Sequence, residues 1–147
     1  MIKVLGKPEN QMDSDMIKIL VIDDEKDIRI ALKEILEKAG FEVDVASNAD
    51  DGLKLLREHG ADLVVTDVIM PGKDGVETVN DIRAEFAGTK IIVMSGGGNV
   101  APMEYEPGTI KTSAYLASAS VAGADLTLTK PFGRQELLEA INTLIAE

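Results

Sequence analysis

Leu63-Val64-Val65-Thr66-Asp67-Val68-Ile69-Met70-Pro71-Gly72-Lys73-Asp74-Gly75 is a short apolar run that ends in one carboxylate, Asp67, and then breaks at Pro71, Gly72 and Gly75. Consecutive apolar residues bounded by a Pro-Gly break have the pattern of a strand that delivers an acid to the mouth of a loop. A strand ending in Asp before such a turn is also ordinary chain punctuation. The meaning of Asp67 therefore depends on what the rest of the chain brings beside it.

Working outward, the same unit recurs. Upstream, Ile19 to Ile22 is a continuous apolar run, and Ile28, Ala31, Leu32, Ile35, Leu36 and Ala39 then follow at helical spacing up to Gly40. Phe41, Val43 and Val45 alternate with Glu42 and Asp44 as a half-exposed strand, and Ser47 or Asn48 is placed to cap a helix carrying Ala49, Leu53 and Leu56, which Gly60 stops. Downstream, Val76, Val79, Ile82 and Phe86 mark a helix, and Lys90 to Met94 is a buried-type run ending in Ser95-Gly96-Gly97-Gly98. Leu126 to Thr129 alternates Leu with Thr, and Lys130-Pro131 then leads to a helix over Leu137, Leu138, Ile141, Leu144 and Ile145. Five strands alternating with helices predict an α/β domain with a parallel sheet.

The runs at Ile19, Leu63 and Ile91 are apolar at consecutive positions and fit strands buried on both faces, whereas the second and fifth alternate as edge strands should. The order 2-1-3-4-5 satisfies this. It is the flavodoxin-like, doubly wound five-stranded parallel sheet with helices on both faces, whose ligand site lies outside the carboxyl ends of strands 1 and 3.

Composition agrees with one such domain. The chain has 147 residues, 45% of them hydrophobic and 28% charged, enough for one sizeable core and short for two. Residues 1–17 carry no sustained periodicity and read as a flexible N-terminal leader, with 18–147 as the domain. The absence of cysteine removes disulfides, thiolate metal sites and a Cys nucleophile. No membrane-length apolar run or signal peptide is present, so a soluble, cytoplasmic protein is expected, with no membrane partner. A net charge of -11 argues against direct nucleic-acid binding, which needs clustered Lys and Arg; for the surface as a whole, solubility is explanation enough.

The expected topology brings Asp23 and Asp24, at the end of the first strand, beside Asp67 at the end of the third. Each pair of unit charges at ~4 Å repels by about 4 kcal/mol at an effective dielectric near 20, so protonation or a cation is required. Short-chain oxygen donors without His or Cys select a hard ion, Mg²⁺ (or Mn²⁺). For Asp23 and Asp24 alone, a solvent-screened acidic rim is the competing reading. Ser95 and Lys130 approach the same crevice from the other side, and a cis Lys130-Pro131 bond would hold the lysine over it. Carboxylates for a metal, with a hydroxyl and an ammonium for an anion, make Asp67 a candidate nucleophile toward a phosphoryl group. The cation, Ser95 and Lys130 would neutralise its oxygens. Taken singly, Ser95 is also a plausible cap and Lys130 a plausible surface residue.

Val-Ile-Asp23-Asp24-Glu, Asp67-Val-Ile-Met-Pro-Gly-Lys-Asp-Gly, Val-Met-Ser95-Gly and Thr-Lys130-Pro131-Phe132 together resemble the receiver domain of two-component response regulators. The resemblance spans Lys18 to Glu147. It implies phosphorylation of Asp67 by a histidine kinase or histidine phosphotransfer protein. It also implies direct Mg²⁺ ligation by Asp24 and Asp67, ligation by Asp23 through water, a further ligand in the Ile69 carbonyl, and contacts from Ser95 and Lys130 to the phosphoryl oxygens. Because the chain ends after its fifth helix, a stand-alone receiver is expected that assists its own phosphorylation without being an enzyme. It would signal through an unknown downstream protein, with a phosphorylation-dependent dimer left open. A phosphorelay shuttle and a degenerate, constitutive adaptor are the alternatives.

Two departures bear on the adaptor reading. Thr127 stands where receivers usually carry an aromatic switch residue, and Gly96 to Thr112 is a 17-residue connection, against ~2 to 6 residues in ordinary units. Tyr105 and Tyr115 are the candidates to replace the aromatic, within a switch or partner loop. The complete acidic set weighs the other way. Ser95-Gly-Gly-Gly lacks the Gly-Lys-Ser/Thr of a nucleotide loop. His59, at a predicted helix C-terminus, reads as a surface cap favoured by the helix dipole. The Ala- and Ser-rich stretch from Tyr115 to Val121 reads equally as helix packing or a docking surface.

Overall fold

The computed structural model describes residues 16–68, 75–95 and 123–146. Its elements are β1 (Lys18–Ile22), α1 (Lys26–Lys38), β2 (Glu42–Ala46), α2 (Ala49–His59), β3 (Leu63–Asp67), α3 (Gly75–Glu85), β4 (Lys90–Ser95), β5 (Leu126–Thr129) and α4 (Arg134–Ile145). The five strands form one sheet in the order β2-β1-β3-β4-β5, and every pairing is parallel. The expected fold class and strand order are therefore the observed ones. The helix expected around Tyr115 to Val121 lies outside the described residues.

The consecutive apolar runs have a direct cause. Successive side chains of a strand point to opposite faces, so a strand covered on both sides needs apolar residues at every position. In β1, Ile19 and Val21 enter one core with Leu32, Leu36, Leu137 and Ile141 of α1 and α4. Leu20 and Ile22 enter the other core with Leu53, Leu56, Val79 and Ile82 of α2 and α3. All four β1 side chains are essentially inaccessible, each worth about 1.5–3 kcal/mol of burial. At the edges the pattern relaxes: Leu128 of β5 is buried while Thr127 and Thr129 are exposed.

Helix ends follow from the sequence as well. Asn48 rather than Ser47 caps α2, its side-chain oxygen accepting from the Asp51 N–H at 2.8 Å. Gly40 after α1 and Gly60 after α2 have φ of 99° and 73° and provide the left-handed turns that stop those helices. Differences from the expected faces are local. Of the α1 stripe only Leu32 and Leu36 are buried; Ile28 and Ile35 are half-buried and Ala31 is exposed, because they border an open groove between α1 and α4. Ala39 caps α1, and Phe86 follows the last residue of α3 and packs partly buried against that helix's core.

Arg83 of α3 ties together the approaches to β4 and β5. Its guanidinium donates to the carbonyls of Gly123 (2.9 Å), Ala87 (3.1 Å) and Thr89, and to Asp125 Oδ2 at 2.5 Å. Asp125 Oδ2 also accepts the Ile91 N–H at 2.8 Å. This latch sits at the amino ends of the strands, opposite the candidate site. No described helix is long and apolar enough to cross a membrane.

Candidate functional site

β1 and β3 are neighbours whose crossovers leave on opposite faces of the sheet, so their carboxyl ends border an uncovered crevice. Asp23 follows β1 and is fully buried; Asp24, next in the chain, is exposed; Asp67 is the last residue of β3 and is 4% exposed. One carboxylate oxygen from each lies within 4.8 Å of the other two. The strand pairing sets this: Ile22 is in register with Thr66, so the residues just beyond them arrive side by side.

Each acid is held differently. The Asp23 N–H continues the ladder to the Ala46 carbonyl at 3.1 Å, and its Oδ1 accepts the Glu25 N–H at 2.8 Å. The Lys130 ammonium donates to Asp23 Oδ2 at 2.8 Å and to Asp67 Oδ2 at 3.5 Å, with Glu25 Oε1 at 4.0 Å. Lys130 follows β5, and the Lys130-Pro131 bond is cis. Burial alone would lower the lysine pKa, but the hydrogen bond to Asp23 and the charges of Asp67, Asp23 and Glu25 outweigh it, so the net shift is upward. The ammonium therefore stays charged at neutral pH and offsets part of the acidic repulsion.

The start of α3 makes a close approach to the end of β3 that the sequence did not reveal. The Val68 N–H donates to the Met94 carbonyl at 2.8 Å, and the Gly75 N–H returns to the Val68 carbonyl at 2.6 Å. A Cβ on Gly75 would stand 2.6 Å from Val68 Cα, so only glycine lets α3 begin against the end of β3.

Ser95 ends β4 in register with Thr129, which puts its backbone at the same end of the sheet; its side chain lies outside the described residues. So do Ile69, Tyr105, Tyr115 and the Gly96 to Thr112 connection. Thr127 is exposed on β5, in register with Val93 and two residues back from that strand's end. His59, the last residue of α2, places Nδ1 3.1 Å from Asp44 Oδ2, away from the acids.

Two further features were not anticipated. Arg29 Nη1 of α1 donates to the Asp23 carbonyl at 2.8 Å. A groove of about 550 Å³ runs from Asp24, Asp67 and Lys130 between α1 and α4, over Ile28, Leu32 and Phe132. Neither had a periodic signal: the groove depends on how α1 and α4 approach across the sheet, and the Arg29 contact on how the turn after β1 brings α1 back against Asp23.

The donor set fits a hard divalent cation: three short carboxylates whose oxygens converge, without nitrogen or sulfur ligands among them.

The sequence profile of the response regulator receiver domain matches residues 19–105. The chemotaxis protein CheY of Bacillus subtilis (strain 168) is 34% identical over 126 residues, covering 85% of this chain and 94% of that protein. The chemotaxis protein CheY of Halobacterium salinarum is 31% identical over 128 residues, covering 87% and 96%. Among solved structures, a response regulator receiver domain protein from Clostridium thermocellum superposes with a TM-score of 0.73 at 34% identity, covering 89% of this chain and 95% of that one.

Proposed function

The chain belongs to the response regulator receiver domains, and from that premise we propose that Asp67 is its phosphoacceptor, taking a phosphoryl group from a partner phosphohistidine. Receivers are signalling domains of two-component systems that bind Mg²⁺ through an acidic pocket. The observation that carries the assignment to Asp67 is the convergence on it of two oppositely charged supports: the Asp23 and Asp24 carboxylates, within 4.8 Å, and the Lys130 ammonium at 3.5 Å.

In the transfer, an Asp67 carboxylate oxygen forms a bond to phosphorus as the phosphorus–nitrogen bond breaks, the electron pair leaving on the imidazole of the donor. Asp67 is central in the sheet and nearly buried, which fixes its direction of attack and limits competing water. Lys130, already charged and anchored on Asp23, is placed to pair with an oxygen of the incoming phosphoryl group. Asp24 and Asp67 would hold the cation directly, Asp23 through water, with the Ile69 carbonyl as a further ligand and Ser95 as a second contact to the phosphoryl group. When bound, the cation supplies charge neutralisation for the phosphoryl oxygens.

The same reading makes 18–147 the receiver unit and 1–17 a leader, and puts the protein in the cytoplasm. Its donor is a histidine kinase or phosphotransfer protein, and its output is a change of protein partner. Intact-mass measurement after incubation with a low-molecular-weight phosphodonor tests the chemistry. Wild type is expected to gain one phosphate with Mg²⁺ and none with excess chelator, whereas Asp67→Asn gains none. Equal incorporation by the variant would remove Asp67 as the acceptor.

A further inference from the structure

The three carboxylates differ in what holds them. Asp23 is fixed at both side-chain oxygens, by the Glu25 N–H and by Lys130, and Asp67 faces Lys130. Asp24 is exposed, and its carboxylate has no hydrogen bond or ion pair among the described residues. Its place is set through its backbone, and the first link in that backbone is the peptide it shares with Asp23. A peptide unit is planar, so fixing the Asp23 carbonyl orients the bond on which the Asp24 Cα hangs.

Among the described residues that carbonyl meets one donor, Arg29 Nη1 at 2.8 Å. Arg29 is a half-buried residue at the end of the first turn of α1 and makes no ion pair among the described residues, so its effect passes through the carbonyl rather than through a carboxylate. A buried carbonyl robbed of its donor turns toward whatever donor or water it can reach.

We propose that Arg29 is the positioning residue of the cation site: by clamping the Asp23–Asp24 peptide it presents the Asp24 carboxylate to Mg²⁺. This rests on the assignment of Asp24 as a metal ligand. Groups that orient ligands are commonly worth as much as tenfold or more in affinity when removed.

The test is Mg²⁺ binding by titration calorimetry on the full chain, without any phosphodonor. Arg29→Met and Arg29→Gln both remove the long donor and keep helix propensity, so either variant decides the matter if the other does not fold. Each is expected to weaken Mg²⁺ binding about tenfold, and Arg29→Lys, which still offers an N–H on a long stem, to recover most of the loss. In an Asp24→Asn background the same Arg29 substitutions are expected to add less than a twofold further loss, because a positioning residue acts only through the group it positions. Wild-type affinity in the folded variants that lack the long donor, or an undiminished tenfold loss in the Asp24→Asn background, overturns the assignment of Arg29 alone. A wild-type chain that binds no Mg²⁺ overturns the metal site as well.

Discussion

Lys130 and Asp24 occupy the same crevice with opposite consequences for stability. Lys130 balances a carboxylate that is entirely buried, and removing one partner of a buried pair strands the other. Lys130→Met should therefore lower metal-free stability by about 3 kcal/mol. Asp24 is exposed and stands within 4.8 Å of two other acids without a partner of its own among the described residues, so Asp24→Asn relieves repulsion and should raise metal-free stability by about 1 kcal/mol. Urea unfolding in chelator reads both, and a common sign for the two substitutions would refute this division of roles. Gly75 is a third residue-scale constraint. The clash a Cβ would make is with Val68 backbone, which cannot turn aside as a side chain would, so Gly75→Ala should cost about 1–3 kcal/mol in the same experiment.

At the scale of elements, the acidic surface is tied down at the other end of β1 and β2. Asp44 accepts from Lys18 at 3.2 Å and lies 3.1 Å from His59 Nδ1, linking β1, β2 and α2. Burial pushes the Asp44 carboxyl up, but the hydrogen bonds from His59 and Lys18 outweigh that and hold it below its ordinary value of 3.8. A carboxylate whose folded pKa is depressed contributes stability that is present above 3.8 and lost as pH falls through the folded value. Asp44→Asn should thus be less stable than wild type at pH ~6, and the gap should narrow at pH ~3 as the folded carboxylate takes up its proton. Chemical unfolding at the two pH values checks this, and a gap that widens in acid would contradict it. The elements themselves were legible because burial on two faces and burial on one leave different patterns: Ile19 to Ile22 is apolar throughout, whereas Leu126 to Thr129 alternates. Helical spacing alone does not say how far the apolar face closes: Ile28, Ala31 and Ile35 repeat at that spacing in α1 yet border a groove instead of closing over the core.

For the whole molecule, strand order was the step that converted sequence into a site. The two alternating strands had to lie at the edges, and that placed the ends of β1 and β3 together, with Asp23, Asp24 and Asp67 converging and Lys130 arriving from β5. Strand patterns carry that information because they record burial. They do not record how closely a helix start approaches the strand before it or which long side chain spans a turn, so Gly75 against Val68 and Arg29 on the Asp23 carbonyl emerged only in three dimensions. The expectations for Ile69, Tyr105 and Tyr115, and for the side chain of Ser95, fall outside the described residues, and Thr127 is an exposed residue of β5.

The account stands on one atom's reactivity, that of the Asp67 carboxylate, and reductive trapping interrogates it directly. Borohydride converts an aspartyl phosphate to homoserine, which marks the acceptor permanently for peptide mass spectrometry. After phosphorylation in Mg²⁺, homoserine is predicted at position 67 and at no other aspartate; homoserine at position 23 or 24, or none despite incorporated phosphate, would contradict it.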